Sequence, residues 1–151
     1  MQWLRSVVLA AVAVVAAVGC LAPQMVEMSA VNPREWREPE SVLFENDDTL
    51  SLRRLSIALR YNHNFKQDTL SVQVNVSRPD ARQFSECVTL RIDGNGRASS
   101  SPFAMSESVA YREHSLLSQR GSYIFTISPL YAVCGIEAVG IEVETETDGK
   151  R

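Results

Sequence analysis

From Ser41 onward, apolar residues recur at every second position along the chain. Val42 and Phe44 share one parity and open a short strand. Leu50 and Leu52 share the next. After Arg53 and Arg54 the parity flips to Leu55, Ile57, Leu59 and Tyr61. A flip of that kind requires a turn or a bulge at the two arginines. Residues 62–68 (NHNFKQD) form a polar loop. Residues 69–77 give the cleanest alternation, with Leu70, Val72, Val74 and Val76 on one face and Ser71, Gln73 and Asn75 on the other. This predicts a strand with one face on a core and one in water. Arg78-Pro79-Asp80 breaks it. Val88, Leu90 and Ile92 make another strand face, ended by a tight turn at DGNG, residues 93–96. Residues 98–108 are rich in serine and read as a long loop, and residues 109–112 as a short strand. Tyr123, Phe125 and Ile127 alternate and stop at Ser128-Pro129. Val139, Ile141 and Val143 close the pattern. About eight short strands near ten residues apart, with no amphipathic helix, predict an all-β fold: a single antiparallel β-sandwich.

The first twenty residues follow a different rule. Residues 7–19 are thirteen apolar or tiny residues ending at Cys20, behind a start carrying Arg5. Thirteen helical residues span roughly 20 Å, too short for an apolar bilayer core of about 30 Å. A short charged start, an apolar run and a small residue before a cut site predict a secretory signal over residues 1–19. Ala17, Val18, Gly19 and Cys20 resemble the lipobox of bacterial lipoproteins, with Ala17 where Leu is usual. The resemblance implies cleavage before Cys20, a diacylglycerol on its thiol and an acyl group on the new amine. Three acyl chains anchor firmly where one binds only marginally. Residues 20–39 contain three prolines and no steady period, which predicts a lipidated tether. The first acid after Cys20 is Glu27. Bacteroidota mark surface-exported lipoproteins with an acidic cluster just after the cysteine, so its absence favours the periplasmic side. The domain is expected over residues 40–145, with a polar tail at 146–151.

Composition narrows the function classes. With 45% apolar and 22% charged residues the chain is an ordinary globular protein. Its formal charge of −3, with no Lys/Arg cluster, gives no sign of a nucleic-acid partner. The sequence contains no G-x-S-x-G elbow, H-E-x-x-H, C-x-x-C or phosphate loop. His63 and His114 each sit among polar residues and read as solvated positions rather than a metal pair. Asp93-Gly94-Asn95-Gly96 lacks the downstream bidentate Glu of a calcium loop. Asp47/Asp48 and Glu142/Glu144 read as solvated faces, and the sequon Asn75-Val76-Ser77 has little meaning in a bacterium. No metal, cofactor or catalytic set is expected.

Other positions carry alternatives. Trp36 either docks on the end of the sandwich or serves as a partner anchor, since Trp is enriched at interface hot spots. Cys87 and Cys134 are an even pair for an oxidising compartment and a candidate disulfide, worth about 4 kcal/mol by chain entropy. Yet Cys87 has the parity of the polar face, and nothing in the pattern brings the two together. Asp48-Thr49-Leu50 and Asp68-Thr69-Leu70 resemble the sites that Bacteroidota O-glycosylate, making Thr49 and Thr69 candidate acceptors. The plainer reading is Asp as a turn former at each strand entry.

Several blocks together resemble the gliding-motility lipoproteins of the GldH type, from the Bacteroidota. Trp36 followed by Phe44 is similar to that family's opening. LSIALRYNHNFKQDTLSVQV, residues 55–74, looks like its strand–loop–strand segment. GSYIFTI from Gly121 and GIEAVGIEVE from Gly135 resemble its closing motifs. The resemblance spans roughly residues 36–144. The chain departs from the family after Ile92, where a Trp-Gly pair is missing, and at Leu130-Tyr131, where Met-Arg is usual. The resemblance implies a non-enzymatic component of the gliding machinery, itself linked to protein secretion, with no catalytic residues to carry over. The expected partners are the membrane, through the lipid on Cys20, and other envelope proteins. The runner-up is a glycan- or ligand-binding envelope lipoprotein, which clustered aromatics on one sheet face would favour. A hydrolase is a poorer third reading.

Overall fold

The computed structural model describes residues 24–93 and 104–147. Within them the chain forms eight strands: β1 (Gln24–Ala30), β2 (Glu40–Asn46), β3 (Leu52–Tyr61), β4 (Thr69–Ser77), β5 (Gln83–Arg91), β6 (Met105–Leu116), β7 (Gly121–Pro129) and β8 (Ile136–Thr145). They make two antiparallel four-stranded sheets, in the orders β1-β8-β3-β6 and β2-β7-β4-β5. The expected all-β sandwich is therefore the observed fold class. Its topology has a simple logic. β1 pairs with β8, β2 with β7, β3 with β6 and β4 with β5. That is one long hairpin of paired strands. Rolling it up adds two seams, β3 against β8 and β4 against β7. The result is the eight-stranded jelly roll.

The inward parity supplies the core. Ile57, Val72, Phe125, Ile127, Ile136, Ile141 and Val143 are completely inaccessible. Each such side chain contributes about 1.5–3 kcal/mol through burial. The outward parity of the second sheet is polar and uncharged over its middle. Ser71 and Thr89 hydrogen-bond across β4 and β5 at 3.0 Å, as do Ser41 and Thr126 across β2 and β7 at 2.8 Å. Of the strand aromatics, Phe44, Tyr61, Tyr123 and Phe125 are buried, while Phe84 is exposed.

Three expectations change. The segment 20–39 is not simply a tether, because Gln24–Ala30 is β1, an edge strand hydrogen-bonded along β8. Its sequence QMVEMSA hides this, since an edge strand exposed on both faces shows no apolar alternation. Next, the irregularity expected at the two arginines is present on the β6 side, where the register shifts between Arg53 and Leu55 and again between Leu55 and Ser56, but the extra residues belong to β6 and not to β3. β3 pairs continuously with β8 from Arg53 to Arg60, with Arg53 buried and Leu52 exposed. The irregularity lies opposite, in β6. Ser56 pairs with Ala110 and Leu55 with Arg112, leaving Tyr111 as an extra residue. Finally, β6 covers twelve residues where the pattern predicts a short strand and the end of a loop. The loop's remainder, with the DGNG turn beyond Asp93, lies outside the described residues.

Two glycines set close approaches. Gly135 has φ +90, and a Cβ there would stand 2.2 Å from the amide nitrogen of Phe65. A Cβ on Gly140 would stand 1.9 Å from the carbonyl oxygen of Glu27, so β1 sits nearer to β8 than any side chain permits. The roll has two ends. Residues 47–51, 78–82 and 117–120 gather where β1 begins, and Asn46 at the end of β2 holds the last of these loops, donating to the carbonyls of Leu117 and Gln119 at 2.9 and 2.8 Å. Residues 31–39, 62–68 and 130–135 gather at the opposite end.

Gly140→Ala is expected to lift β1 while leaving the sandwich intact. Hydrogen exchange at the amides of residues 25–30 should accelerate while β3 and β7 stay protected. Unchanged protection of β1 would show that the close approach does not seat it.

Candidate functional site

The bulge in β6 helps build a lateral concavity. Without an extra residue, successive side chains alternate across a sheet. The unpaired Tyr111 breaks that alternation, and both Tyr111 and Arg112 line the space between the sheets. Opposite stand Phe84 and Glu86, at inward positions of β5. β5 and β6 are the edge strands of their sheets on this side. Between them lies a lateral cleft of about 360 Å³. Its floor includes Leu55, Val74 and Phe125 from three strands. Further along, Val88 and Val109 pack against the core and close the gap. On the far side of the roll, between β1 and β2, the Ser29 hydroxyl donates to Glu40 at 2.5 Å.

The polar groups of the cleft are unevenly satisfied. Arg112 grips Glu86 with two hydrogen bonds, at 2.7 and 3.1 Å, spanning the gap between the sheets. The Arg78 guanidinium stands 5.8 Å from the centre of the Phe84 ring at the mouth, a cation–π contact. The Tyr123 hydroxyl accepts from the amide of Gln119 at 3.1 Å. The Tyr111 hydroxyl is buried and has no hydrogen-bond partner. Burial, reinforced by Glu86, pushes the Tyr111 phenol above its ordinary range. It therefore stays protonated, a buried donor without a hydrogen-bond partner. A volume of this size, an apolar floor and a few convergent polar groups are the ingredients of a ligand pocket. The inward charges Glu86 and Arg112 also blunt two sheet edges against indiscriminate strand addition.

The residues singled out in the sequence lie elsewhere. Cys20 is outside the described residues. Trp36 is only 2% exposed. Its amide donates to Val133 at 2.8 Å, its carbonyl accepts from Val133 at 3.0 Å, and its indole donates to the Glu38 carbonyl at 2.8 Å. A side chain so enclosed is a dock for the incoming chain, and the reading of Trp36 as a partner contact is corrected. Cys87 and Cys134 are both free and exposed, one on the outer face of β5 and one beside Gly135, so the candidate disulfide is absent. The polar-face parity of Cys87 explains this.

Thr49 is half-buried in the β2–β3 loop, and Thr69 is exposed at the start of β4. Before Thr49, Asp48 accepts from the amides of Leu50 and Ser51 at 2.9 and 3.0 Å, the turn-forming role expected of it. His63 lies exposed in the β3–β4 loop. His114 has φ +53 and holds Glu146 through its amide at 3.0 Å and its Nδ1 at 2.6 Å. No three His, Cys, Asp or Glu side chains converge among the described residues.

Two consequences are measurable. Tyr111→Phe removes an unpaired buried hydroxyl, so it should leave stability unchanged or raise it by about 1–3 kcal/mol. A urea melt showing a loss would mean that the hydroxyl has a partner in solution. At Asp48, hydrogen bonds from the Ser51 hydroxyl and then from the two amides hold the carboxyl down at about 2. A depressed folded-state pKa contributes stability above the unfolded value, near 3.9, and loses it as pH falls toward 2. Asp48→Asn should therefore flatten the fall of the urea midpoint between pH 4 and pH 2. An unchanged slope would assign the acid sensitivity to other groups.

No protein-family model and no curated protein matches this chain. Among solved structures it is similar to the dimeric latent form of PorU from Porphyromonas gingivalis, at 12% sequence identity and a TM-score of 0.33. That alignment covers 87% of this chain and 14% of the other, so the chain corresponds to a small part of that protein's length.

Proposed function

We propose that the protein is a lipid-anchored, non-enzymatic β-sandwich of the cell envelope that acts through protein contacts, as a component similar to the gliding-motility lipoproteins. The observation that carries this reading is the coincidence of the resembling blocks with the positions that set the fold. Trp36 docks the entry segment against Val133. Tyr61 ends β3 in the core and meets Phe65 edge-on, with ring centres 5.5 Å apart. Gly135 and Gly140 permit the two closest backbone approaches. These are architectural roles, and side chains kept for architecture leave the exposed surfaces as the working parts. The lipobox-like AVGC supplies the anchor, and the domain supplies two outer sheet faces and a lateral cleft.

The test is complementation of a deletion strain, scored for motility or secretion together with protein level and membrane flotation. Cys20→Ala should release the protein from membranes and abolish function. His63→Ala and His114→Ala should stay anchored and functional, His63→Ala within about 0.5 kcal/mol of the parent stability as an exposed substitution and His114→Ala at a larger cost, since it loses the hold on Glu146 at a positive φ. A stable, anchored His63→Ala or His114→Ala protein with no function would replace the contact reading with a chemical one. Crosslinking of the native protein in envelopes then identifies what it touches.

A further inference from the structure

The end of the roll where β1 begins is also where large apolar side chains are left in water. Leu50, at the tip of the β2–β3 loop, is 88% exposed. Leu52 and Leu116 face each other across the β3–β6 pair, both exposed. Phe84 and Met25, each the second residue of its strand, are exposed at the same end. At the opposite end the corresponding residues are Leu130 and Tyr131, among those described. The loops at the β1 end also balance their charges. Arg78, Arg82 and Arg120 match Asp47, Asp48 and Asp80 in number, so no single-sign field repels a phospholipid surface.

The chain length before β1 gives these side chains a destination. β1 starts at Gln24, four residues after Cys20. Four fully extended residues reach at most about 14 Å. A ten-residue strand such as β3 is about 33 Å long. A lipid on Cys20 therefore holds the start of β1 within less than half a strand length of the bilayer. The end that the anchor pulls down is the end that exposes the leucines.

We infer that this end of the sandwich seats on a phospholipid surface, with Leu50, Leu52, Leu116 and Phe84 entering the boundary between headgroups and acyl chains. Several shallow apolar insertions beside a covalent anchor are the usual way a peripheral domain fixes its orientation on lipid. In that pose the Phe84 side of the cleft mouth opens toward the bilayer. The Trp36–Val133 end, with Tyr131, points away from it. The inference rests on lipidation of Cys20.

The experiment uses the full lipidated chain in vesicles of phosphatidylethanolamine and phosphatidylglycerol doped with brominated lipid. With Cys87→Ser, a fluorophore on native Cys134 reports the far end. With Cys87→Ser, Cys134→Ser and Asp47→Cys, a fluorophore reports the β1 end. Bromolipid should quench the label at position 47 several-fold more than the label on Cys134. Adding Leu50→Ser and Leu116→Ser should remove at least half of the quenching at position 47 while flotation and lipid mass stay unchanged. Equal, weak quenching at both positions in protein carrying the lipid mass would overturn the seating alone. Undiminished quenching in the Leu50→Ser, Leu116→Ser protein would overturn the role of the leucines. Absence of lipid mass on Cys20 would overturn the anchoring reading beneath both.

Discussion

The placement of β8 is the constraint on which everything else depends. The last strand lies between β1 and β3 and pairs with both along most of its length. Its inward residues Ile136, Val139, Ile141 and Val143 are at most 1% exposed. Until β8 is in place, β1 has no partner and β3 lacks one of its two neighbours. The sandwich therefore forms through pairings remote in sequence, which makes folding slow and cooperative. Even its irregularities serve this seam. Gly140 lets β1 approach, and from Arg53 to Arg60 β3 keeps one register against β8 while the extra residues opposite its first half lie in β6.

Most of the fold was legible because period-two alternation is a direct record of one-sided burial. β2, β4, β7 and β8 each carry apolar residues on the buried parity and mostly polar ones on the other, with Leu43 and Ile124 the large outward exceptions. The failures are β1, exposed on both faces, and β6, whose inward positions are only half-buried and mix polar with apolar residues, so neither carries a steady apolar period. Leu50 and Leu52 misled for the opposite reason. They are apolar and alternate, yet they face water, and the inward position beside them is held by Arg53. Alternation reports burial only where the alternating side chains are the buried ones.

The cleft was harder to see, since it belongs to no single segment. It needs β5 and β6 to face each other across a gap, and that follows only from the rolled topology. Its one trace in the sequence is a charge at an inward position: Glu86 between Phe84 and Val88 on β5. The individual residues proved easier than their roles. Asp48 is the turn former its spacing suggests, and the parity of Cys87 points away from any bridge. Trp36 is the reverse case. A lone tryptophan ahead of a first strand has both an interface reading and a docking reading, and only the pairing with Val133 decides between them.

The pairing of Glu86 with Arg112 makes the two sides of the roll mechanically unequal. One side is laced by chain continuity between β1 and β2, by Ser29 on Glu40 and by Trp36 pinned to Val133. Midway along the other, a strut of two opposite charges, each well exposed to water, holds the lips of the sheets. The first side acts as a spine, and the second is a fore-edge where the two sheets meet through an ion pair and the packing of Val88 and Val109. An exposed strut of this kind is worth about 1 kcal/mol or less and weakens as salt screens it. The stiffness of the jelly roll is thus set by its apolar core along the spine and by ionic strength along the fore-edge.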